Sequence, residues 1–239
     1  MIEKVLNKIF LTENVFVLEI SKSFKQNIFP GQFGSIKTDL KDKILRRPFT
    51  IVNDGKSSLT FLIKIVGSST ENISQLKKGE YVDILYPLGK GFDRDIDYMR
   101  TLFVGGGIGL AALIPFLKGK KYYKLIFGDR EGEYKNVLKY FSLKGLYCSE
   151  KNSKVKGYPT DFLDHYDFDM IIGCGPKEML KSIKEYCIKN EKRFYAIYEE
   201  VMGCGVGLCN GCAVKMEDGD FVKLCTEGPI LDGNRIFYG

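Results

Sequence analysis

The sequence predicts a β-barrel plus an α/β unit: an N-terminal antiparallel barrel, a Rossmann-like domain, and a short C-terminal cysteine-rich segment. Three observations predict this. Short strands rich in β-branched and aromatic residues crowd the first hundred positions, strand–glycine–helix units follow, and four of the seven cysteines fall in the last 36 residues. The boundaries implied are 1–97 for the barrel, 98–195 for the α/β domain and 196–239 for the tail.

The barrel strands come first. Val15–Ile20, Leu59–Val66 and Tyr81–Tyr86 are separated by the turn signals Pro30-Gly31, Asn53-Asp54-Gly55 and Lys78-Gly79. Strands at such close spacing suit a small antiparallel barrel. The pattern then changes. Thr101–Val104 is an apolar strand that runs into glycines and a helical stretch, Leu110 to Lys118. Tyr123–Phe127 and Asp169–Ile172 are further strands, the second followed by Gly173-Cys174-Gly175-Pro176 and a helix over Lys177–Lys189. That helix places Met179, Leu180, Ile183 and Cys187 on one face. Strand–turn–helix units in series build a parallel sheet. There is no internal repeat and no low-complexity linker.

Composition excludes several function classes. The chain has 239 residues, 44% hydrophobic and 28% charged, as in globular proteins. The longest apolar stretch, Thr101 to Leu117, is broken by four glycines and Pro115, too short and interrupted to span a membrane. The N-terminus lacks a signal pattern, so a cytoplasmic protein is expected. A net charge of +6 is spread along the chain, and the pairs Lys77-Lys78 and Lys120-Lys121 read as solvated faces, with no nucleic-acid surface. The single histidine, His165, reads as a surface or packing residue, which leaves multi-imidazole zinc sites and His-centred relays without support. A cytoplasmic chain is not expected to build a disulfide framework.

Cysteine spacing carries the strongest chemical signal. Cys204-x4-Cys209-x2-Cys212-x12-Cys225 has the C-x4-C-x2-C…C form of plant-type 2Fe–2S ferredoxins. Three thiolates must converge from one tight loop, and glycines at 203, 205, 207 and 211 give the backbone that freedom. The fourth ligand, Cys225, is expected on a hairpin strand after the Asp218-Gly219 turn. The rival is a four-cysteine zinc site, whose usual two C-x2-C pairs are reduced here to one.

Two further strings point to nucleotides. Gly105, Gly106, Gly107 and Gly109 follow a strand and open a helix, and Gly107-x-Gly109-x-x-Ala112 fits the turn that seats a pyrophosphate at a helix N-terminus. Asp129, 22 residues beyond Gly107, suits a ribose-reading acid, whereas Arg130 beside it suits a 2′-phosphate. NADH and NADPH both remain open on these residues. In the barrel half, Arg46–Ile51 offers an arginine fork for a flavin pyrophosphate and a hydroxyl three positions beyond Arg47.

In order along nearly the whole chain, these strings resemble the ferredoxin-reductase superfamily, and more closely the electron-transfer subunits of NAD-dependent dihydroorotate dehydrogenase B. The resemblance rests on Pro30–Phe33, Arg47–Thr50, Gly67–Thr70, Pro87–Phe92, Gly105–Gly109, Cys174–Pro176, Glu199–Cys204 and Cys225–Pro229. It implies FAD on Arg47, Pro48, Phe49 and Thr50, on Leu62, Ile63 and Lys64, and on Ser69 and Thr70. It also implies NAD at Gly105, Gly106, Gly107 and Gly109, with Cys174 near the nicotinamide; Cys174 equally reads as a small buried residue at a strand end. Lys64, Ser69 and Val201 stand where that pattern has arginine, glycine and arginine. The implied activity is an oxidoreductase relay in pyrimidine synthesis, from an FMN-containing catalytic subunit through the 2Fe–2S cluster and FAD to NAD, in a heterotetramer of two of each subunit. Reductase subunits serving a ferredoxin–NADP transhydrogenase, a sulfide dehydrogenase, a hydrogenase or a sulfite reductase would show the same strings.

Overall fold

In the computed structural model, which describes residues 1–238, the N-terminal strands are β1 (Ile2–Phe10), β2 (Val15–Ser21), β3 (Phe33–Ile36), β4 (Arg47–Asp54), β5 (Ser58–Lys64) and β6 (Tyr81–Leu88). They close an antiparallel barrel in the order β1-β2-β5-β4-β3-β6. Because successive side chains of a strand point to opposite faces, Phe16, Leu18 and Ile20 of β2 fill the barrel with Phe61 and Ile63 of β5. Val15, Val17, Val52 and Leu62 point the other way, into a core shared with the α/β domain. The strand β2 is therefore buried on both faces, which explains why it reads as a continuous apolar run. Glu3 is buried in the barrel wall and accepts hydrogen bonds from Ser21 Oγ (2.5 Å), Ser23 N (3.0 Å) and Tyr86 OH (2.6 Å). One carboxylate thereby ties β1 to β2 and β6. Between β5 and β6, helix α1 (Ser68–Gln75) sends Ile73 into the barrel core.

The second unit comprises β7 (Thr101–Gly106), α2 (Leu110–Leu117), β8 (Lys124–Gly128), α3 (Lys135–Tyr140), β9 (Leu146–Ser149), β10 (Val155–Lys156), β11 (Met170–Cys174), α4 (Lys177–Lys189) and β12 (Arg193–Ile197). The tail adds β13 (Ala213–Lys215), β14 (Phe221–Lys223), α5 (Leu224–Glu227) and β15 (Ile230–Asp232). The sheet runs β10-β9-β8-β7-β11-β12-β15, parallel except for β15, which pairs antiparallel with β12. Residues 196–239 thus contribute an edge strand to the α/β sheet, and a stretch as short as Ile230–Asp232 carries no periodic signal of its own.

Each face of the sheet is covered. On one side α2, with seven of its eight residues buried, packs Leu110, Leu113 and Leu117 against Phe103 and Phe127 and against the outer wall of the barrel. On the other side Leu180, Ile183 and Cys187 of α4 pack with Val104, Ile171 and Phe194, and the tail adds Val214, Leu224 and Leu231 to the same core. Burial of this much apolar surface from three segments joins barrel, sheet and tail into one packed unit. Met179, placed by periodicity on the inner face of α4, lies only partly buried beside the glycine turn, and Lys184 takes a buried place on the helix. His165 is exposed, edge-on to Phe162 at 5.4 Å. Among the described residues no helix is long and apolar enough to cross a membrane.

Candidate functional site

The cysteines lie on a loop between β12 and β13, with Cys225 on α5 immediately after β14. The hairpin foreseen around Asp218-Gly219 is present, but its return strand ends at Lys223, so Cys225 is helical rather than extended. Backbone N–H groups of Val206 (3.5 Å), Leu208 (3.3 Å) and Cys209 (3.4 Å) point at Cys204 Sγ, that of Cys204 at Cys209 Sγ (3.3 Å), and that of Gly207 at Cys225 Sγ (3.1 Å). Gly207 has φ +83°, which favours glycine, and a methyl group there would stand 2.9 Å from Thr226 Cγ2. The donors facing it, Val206 and Cys209 first, hold the Cys204 thiol down at about 6, whereas burial pushes Cys225 up to about 11.

Cys204 lies against Cys209 and Cys212 against Cys225, and Cys204 is also near enough to Cys225 to act on its thiol. Among the described residues no three His, Cys, Asp or Glu side chains converge on one ion. A binuclear cluster needs two thiolates on each of two irons, with donors to the sulfurs from the enclosing backbone. A tetrahedral zinc ion needs four thiolates around one centre. Paired thiols under a cage of N–H groups fit the first requirement. The outer pair reaches the surface: Cys209 is exposed, beside Leu208 with 82% of its surface exposed, while Cys212 and Cys225 are buried.

Next to this loop a cleft opens between barrel and sheet. Its walls are Pro48, Phe49 and Thr50 of β4, Leu62 and Lys64 of β5, Thr70 of α1, Ala111 and Ala112 of α2, and Tyr198, Glu199, Glu200, Met202 and Pro229 around the cysteine loop. The antiparallel pairing of β4 with β5 brings their outer faces side by side, so two distant sequence strings form one wall. Arg47 donates from Nε to Ser69 Oγ (3.2 Å), which links β4 to the start of α1. Thr70 Oγ1 accepts the N–H groups of Val66 (2.9 Å) and Gly67 (3.2 Å) and donates to Gly67 O, so this hydroxyl shapes the turn as well as lining the cleft. Ile63 does not belong to the wall: strand alternation sends it into the barrel core, 1% exposed. Aromatic, apolar and hydroxyl groups with one lysine, and with Arg47 adjacent in sequence to Pro48, suit a flat ring system bearing a charged tail.

Glu199 carries no signal in the sequence beyond its place in the Glu199–Cys204 string. Its side chain is exposed at the cleft, but the packing of barrel against sheet around it partly desolvates the carboxyl and pushes it up from the ordinary value. Its neighbour Glu200 is paired with Lys177. No local pattern marks Glu199, because that desolvation arises from the packing of barrel against sheet.

A second, larger cleft of about 540 Å³ lies along the C-terminal ends of the sheet strands. Gly106 and Gly107 line it from the β7–α2 turn, Asp129 and Arg130 from the end of β8, Glu150 from the end of β9, and Tyr158, Pro176 and Met179 from adjoining loops. This is the crevice at which parallel α/β sheets bind ligands. Lys64 lines both clefts, which therefore adjoin at this side chain. Gly105 and Gly109 are walled in by packing: a methyl group at Gly105 would lie 3.0 Å from the Phe127 ring, and one at Gly109 2.5 Å from Cys174 O. Cys174 is wholly buried at the end of β11, where burial first and the Glu199 charge second push its thiol well up. Its backbone supports the glycine turn, and its side chain belongs to the core. Asp129 is already committed, accepting Tyr147 OH with one oxygen and the N–H groups of Gly132 (2.7 Å) and Glu133 (3.0 Å) with the other.

Comparison with known proteins agrees with this geometry. The iron–sulfur cluster binding domain of dihydroorotate dehydrogenase B matches residues 199–237, the span of the cysteine loop, hairpin and edge strand. A dihydroorotate dehydrogenase B (NAD(+)) electron transfer subunit homolog of Aquifex aeolicus is 33% identical over 95% of this chain and 94% of its own. The electron transfer subunit of that enzyme from Clostridium perfringens is 31% identical over 98% and 96%. Among solved structures, a chain of the NADH-dependent reduced ferredoxin–NADP oxidoreductase superposes with a TM-score of 0.86 at 26% identity, over 99% of this chain and 90% of that one. The ferredoxin reductase of carbazole 1,9a-dioxygenase, 19% identical, shares the fold with a TM-score of 0.69 over 80% of this chain and 66% of that one.

Proposed function

The chain belongs to the family of electron-transfer subunits of dihydroorotate dehydrogenase B, and from that premise we propose that it carries electrons from a dihydroorotate-oxidising catalytic subunit to NAD. The observation that carries this reading is continuity. The paired thiols, the barrel cleft and the strand-end cleft follow one another, joined by Met202 and Pro229 at one junction and by Lys64 at the other. When bound, the 2Fe–2S cluster supplies single-electron transfer and FAD the exchange between single electrons and the hydride that NAD accepts.

The chain's own residues hold and orient these groups. Cys204, Cys209, Cys212 and Cys225 ligate the irons, and the N–H groups of Val206, Gly207, Leu208 and Cys209 stabilise negative charge on sulfur. Pro48, Phe49, Thr50 and Leu62 supply the flavin wall, while Arg47, through Ser69, fixes the start of α1 beside it. Lys64 provides a point charge where arginine would provide a fork. Gly106 and Gly107 admit the NAD pyrophosphate, and Gly105, Gly109 and Cys174 keep the turn close to the sheet. Apolar packing between α2 and the barrel excludes water behind the flavin wall.

The partner is a catalytic subunit carrying FMN, in a cytoplasmic heterotetramer of two of each. Exposed Leu208, Val206 and Val201 beside Cys209 suit a face through which electrons enter. Anaerobic co-expression with the FMN-containing dihydroorotate dehydrogenase subunit tests this reading: the purified complex should show iron, FAD and dihydroorotate-dependent NAD reduction. A colourless chain with stoichiometric zinc would refute it. The 0.86 superposition favours a second reading, a reductase subunit for another NAD(P)H-linked complex. A loaded chain that forms no complex with the dihydroorotate subunit would select that alternative.

A further inference from the structure

The end of the sheet away from the two clefts has the opposite chemistry. Three loops meet where the parallel strands begin: 97–100 before β7, 118–123 before β8 and 142–145 before β9. Between them lies a cavity of about 560 Å³, lined by Lys120, Lys121, Lys124 and Lys144 and by no carboxylate. In the sequence only Lys120-Lys121 stands out, as an isolated pair. Because β7, β8 and β9 are neighbours in the sheet, the fold brings Lys124 and Lys144 to its side. The other pair, Lys77-Lys78, stays exposed between α1 and β6, beside Glu80, whose carboxylate accepts the Lys77 N–H at 2.8 Å.

The four charges are held in place without being neutralised. None of these lysines belongs to an ion pair of the described residues. Asp97, Asp167 and Asp169, which flank the cavity loops, are committed: Arg100 takes the last two, and Asp97 Oδ1 accepts the Met99 N–H at 2.9 Å. Lys124 Nζ donates to the carbonyls of Met99 and Asp167, which fixes its position and leaves its charge. Lys120 Nζ lies 4.7 Å over the Tyr98 ring and Lys121 Nζ 5.2 Å over that of Tyr122. Tyr98 OH donates to Phe116 O at 2.9 Å, and Tyr123 OH accepts the Lys144 N–H at 2.9 Å, so the loops are tied to α2 and to each other. Helices α2 and α3 end on this side, each end carrying about half a negative charge. Together they offset at most about one of the four lysine charges.

We propose that this cavity is a binding site for an oligophosphate, either an inorganic chain or the phosphate tail of a nucleotide. Four ammonium groups with no acid among them call for a multiply charged anion, and each is a point charge suited to phosphate oxygens. The cavity has the size of a small-molecule site. A nucleic acid would need the basic surface to continue beyond it, and the exposed pair Lys77-Lys78 belongs instead to the barrel half. Tyr122, 62% exposed at the cavity wall, offers a flat face on which a nucleotide base can stack. The site lies at the other end of the sheet from the glycine turn and the cysteine loop, which follow the C-terminal ends of β7 and β12. A ligand here fastens three loops together and stabilises the folded chain by linkage.

Calorimetry with sodium tripolyphosphate on the FAD- and cluster-loaded chain, in saturating NAD so that the strand-end cleft is filled, tests the site. Tripolyphosphate should bind at least about tenfold more tightly than orthophosphate, should bind more weakly as salt is raised, and should raise the midpoint of thermal unfolding. Lys120→Gln with Lys121→Gln should weaken binding by about tenfold. Lys77→Gln with Lys78→Gln, the same loss of charge elsewhere, should leave it unchanged. All four side chains are exposed and glutamine keeps a polar head on part of the stem, so both double variants test recognition rather than folding. ATP separates the two sources. Tighter binding of ATP than of tripolyphosphate, with the gain lost in Tyr122→Ala, identifies a nucleotide, and ATP binding no tighter identifies the inorganic chain. Absence of tripolyphosphate binding, equal weakening by the two lysine pairs, or tighter binding of a single-stranded oligouridylate or of phosphatidylglycerol vesicles than of tripolyphosphate overturns the proposal.

Discussion

Gly109→Ala should damage the nucleotide cleft through a clash with backbone. Gly109 has φ −57° and ψ −16°, ordinary helical values, so alanine meets no conformational strain there. By propensity alone the exchange would favour the helix by about 1 kcal/mol. The new methyl group, however, would stand 2.5 Å from Cys174 O, 2.7 Å from Cys174 C and 2.9 Å from Gly175 N. Comfortable separation requires about 1 Å more. The obstructing atoms are the end of β11, which is held on both sides by β7 and β12 and cannot rotate away as a side chain would. Overpacking costs about 1–3 kcal/mol, and rigid neighbours place this case at the upper end. After the propensity gain the net loss is about 2 kcal/mol. The turn should also move off the sheet, so ADP-ribose affinity falls about tenfold while FAD and iron content stay normal. Gly107→Ala is the informative comparison, because Gly107 has φ +56° and no neighbour within 4 Å, so its cost of about 1 kcal/mol is conformational. Urea unfolding followed by flavin fluorescence, together with ADP-ribose calorimetry, reads both effects. Wild-type stability and affinity in Gly109→Ala would refute the claim that β11 and the glycine turn are locked together.

Three other outcomes follow from named groups. Cys209→Ser should lose most of its iron and visible iron–sulfur absorption while retaining FAD, since Cys209 is not among the residues lining the barrel cleft; full iron content in the variant would show that the ligand assignment is wrong. Glu199→Gln should raise the midpoint of thermal unfolding near neutral pH. A partly desolvated carboxyl with a raised pKa binds its proton more tightly folded than unfolded, so wild-type stability falls as pH rises above the ordinary carboxyl value, and glutamine escapes that loss. The difference should vanish at about pH 4 and below, and an equal effect at both pH values would count against the desolvation. Glu3→Ala should destabilise the barrel by about 3 kcal/mol, because Tyr86 OH and the Ser21 and Ser23 groups lose an ionised acceptor. Burial works to raise the Glu3 carboxyl, but its hydrogen bonds outweigh that and lower it, so the contribution is present above the ordinary carboxyl pKa and is lost as pH falls through the lowered one. Chemical denaturation at neutral and acid pH would check both the size and the direction.

Local signals were sufficient wherever a function depends on residues close in the chain. The Cys204–Cys212 loop, the Gly105–Gly109 turn and helix Lys177–Lys189 each lie within about one element, so spacing and periodicity alone identify them. Strands β1, β3 and β4 carry mixed polar and apolar residues, and it is barrel closure rather than pattern that makes them strands. Tertiary structure alone decided which members of a string face a site. Leu62 and Lys64 reach the cleft wall while Ile63 between them fills the barrel, and Cys225 completes its thiol pair from a helix rather than from a strand. Asp129 shows the same division most plainly. Sequence order by itself made it a candidate ribose reader, but folding closes its loop onto both of its oxygens. Spacing along a chain determines which groups can share a turn. Which groups remain without a partner is a property of the whole packed molecule, because every neighbour that could satisfy them arrives from somewhere else in the sequence.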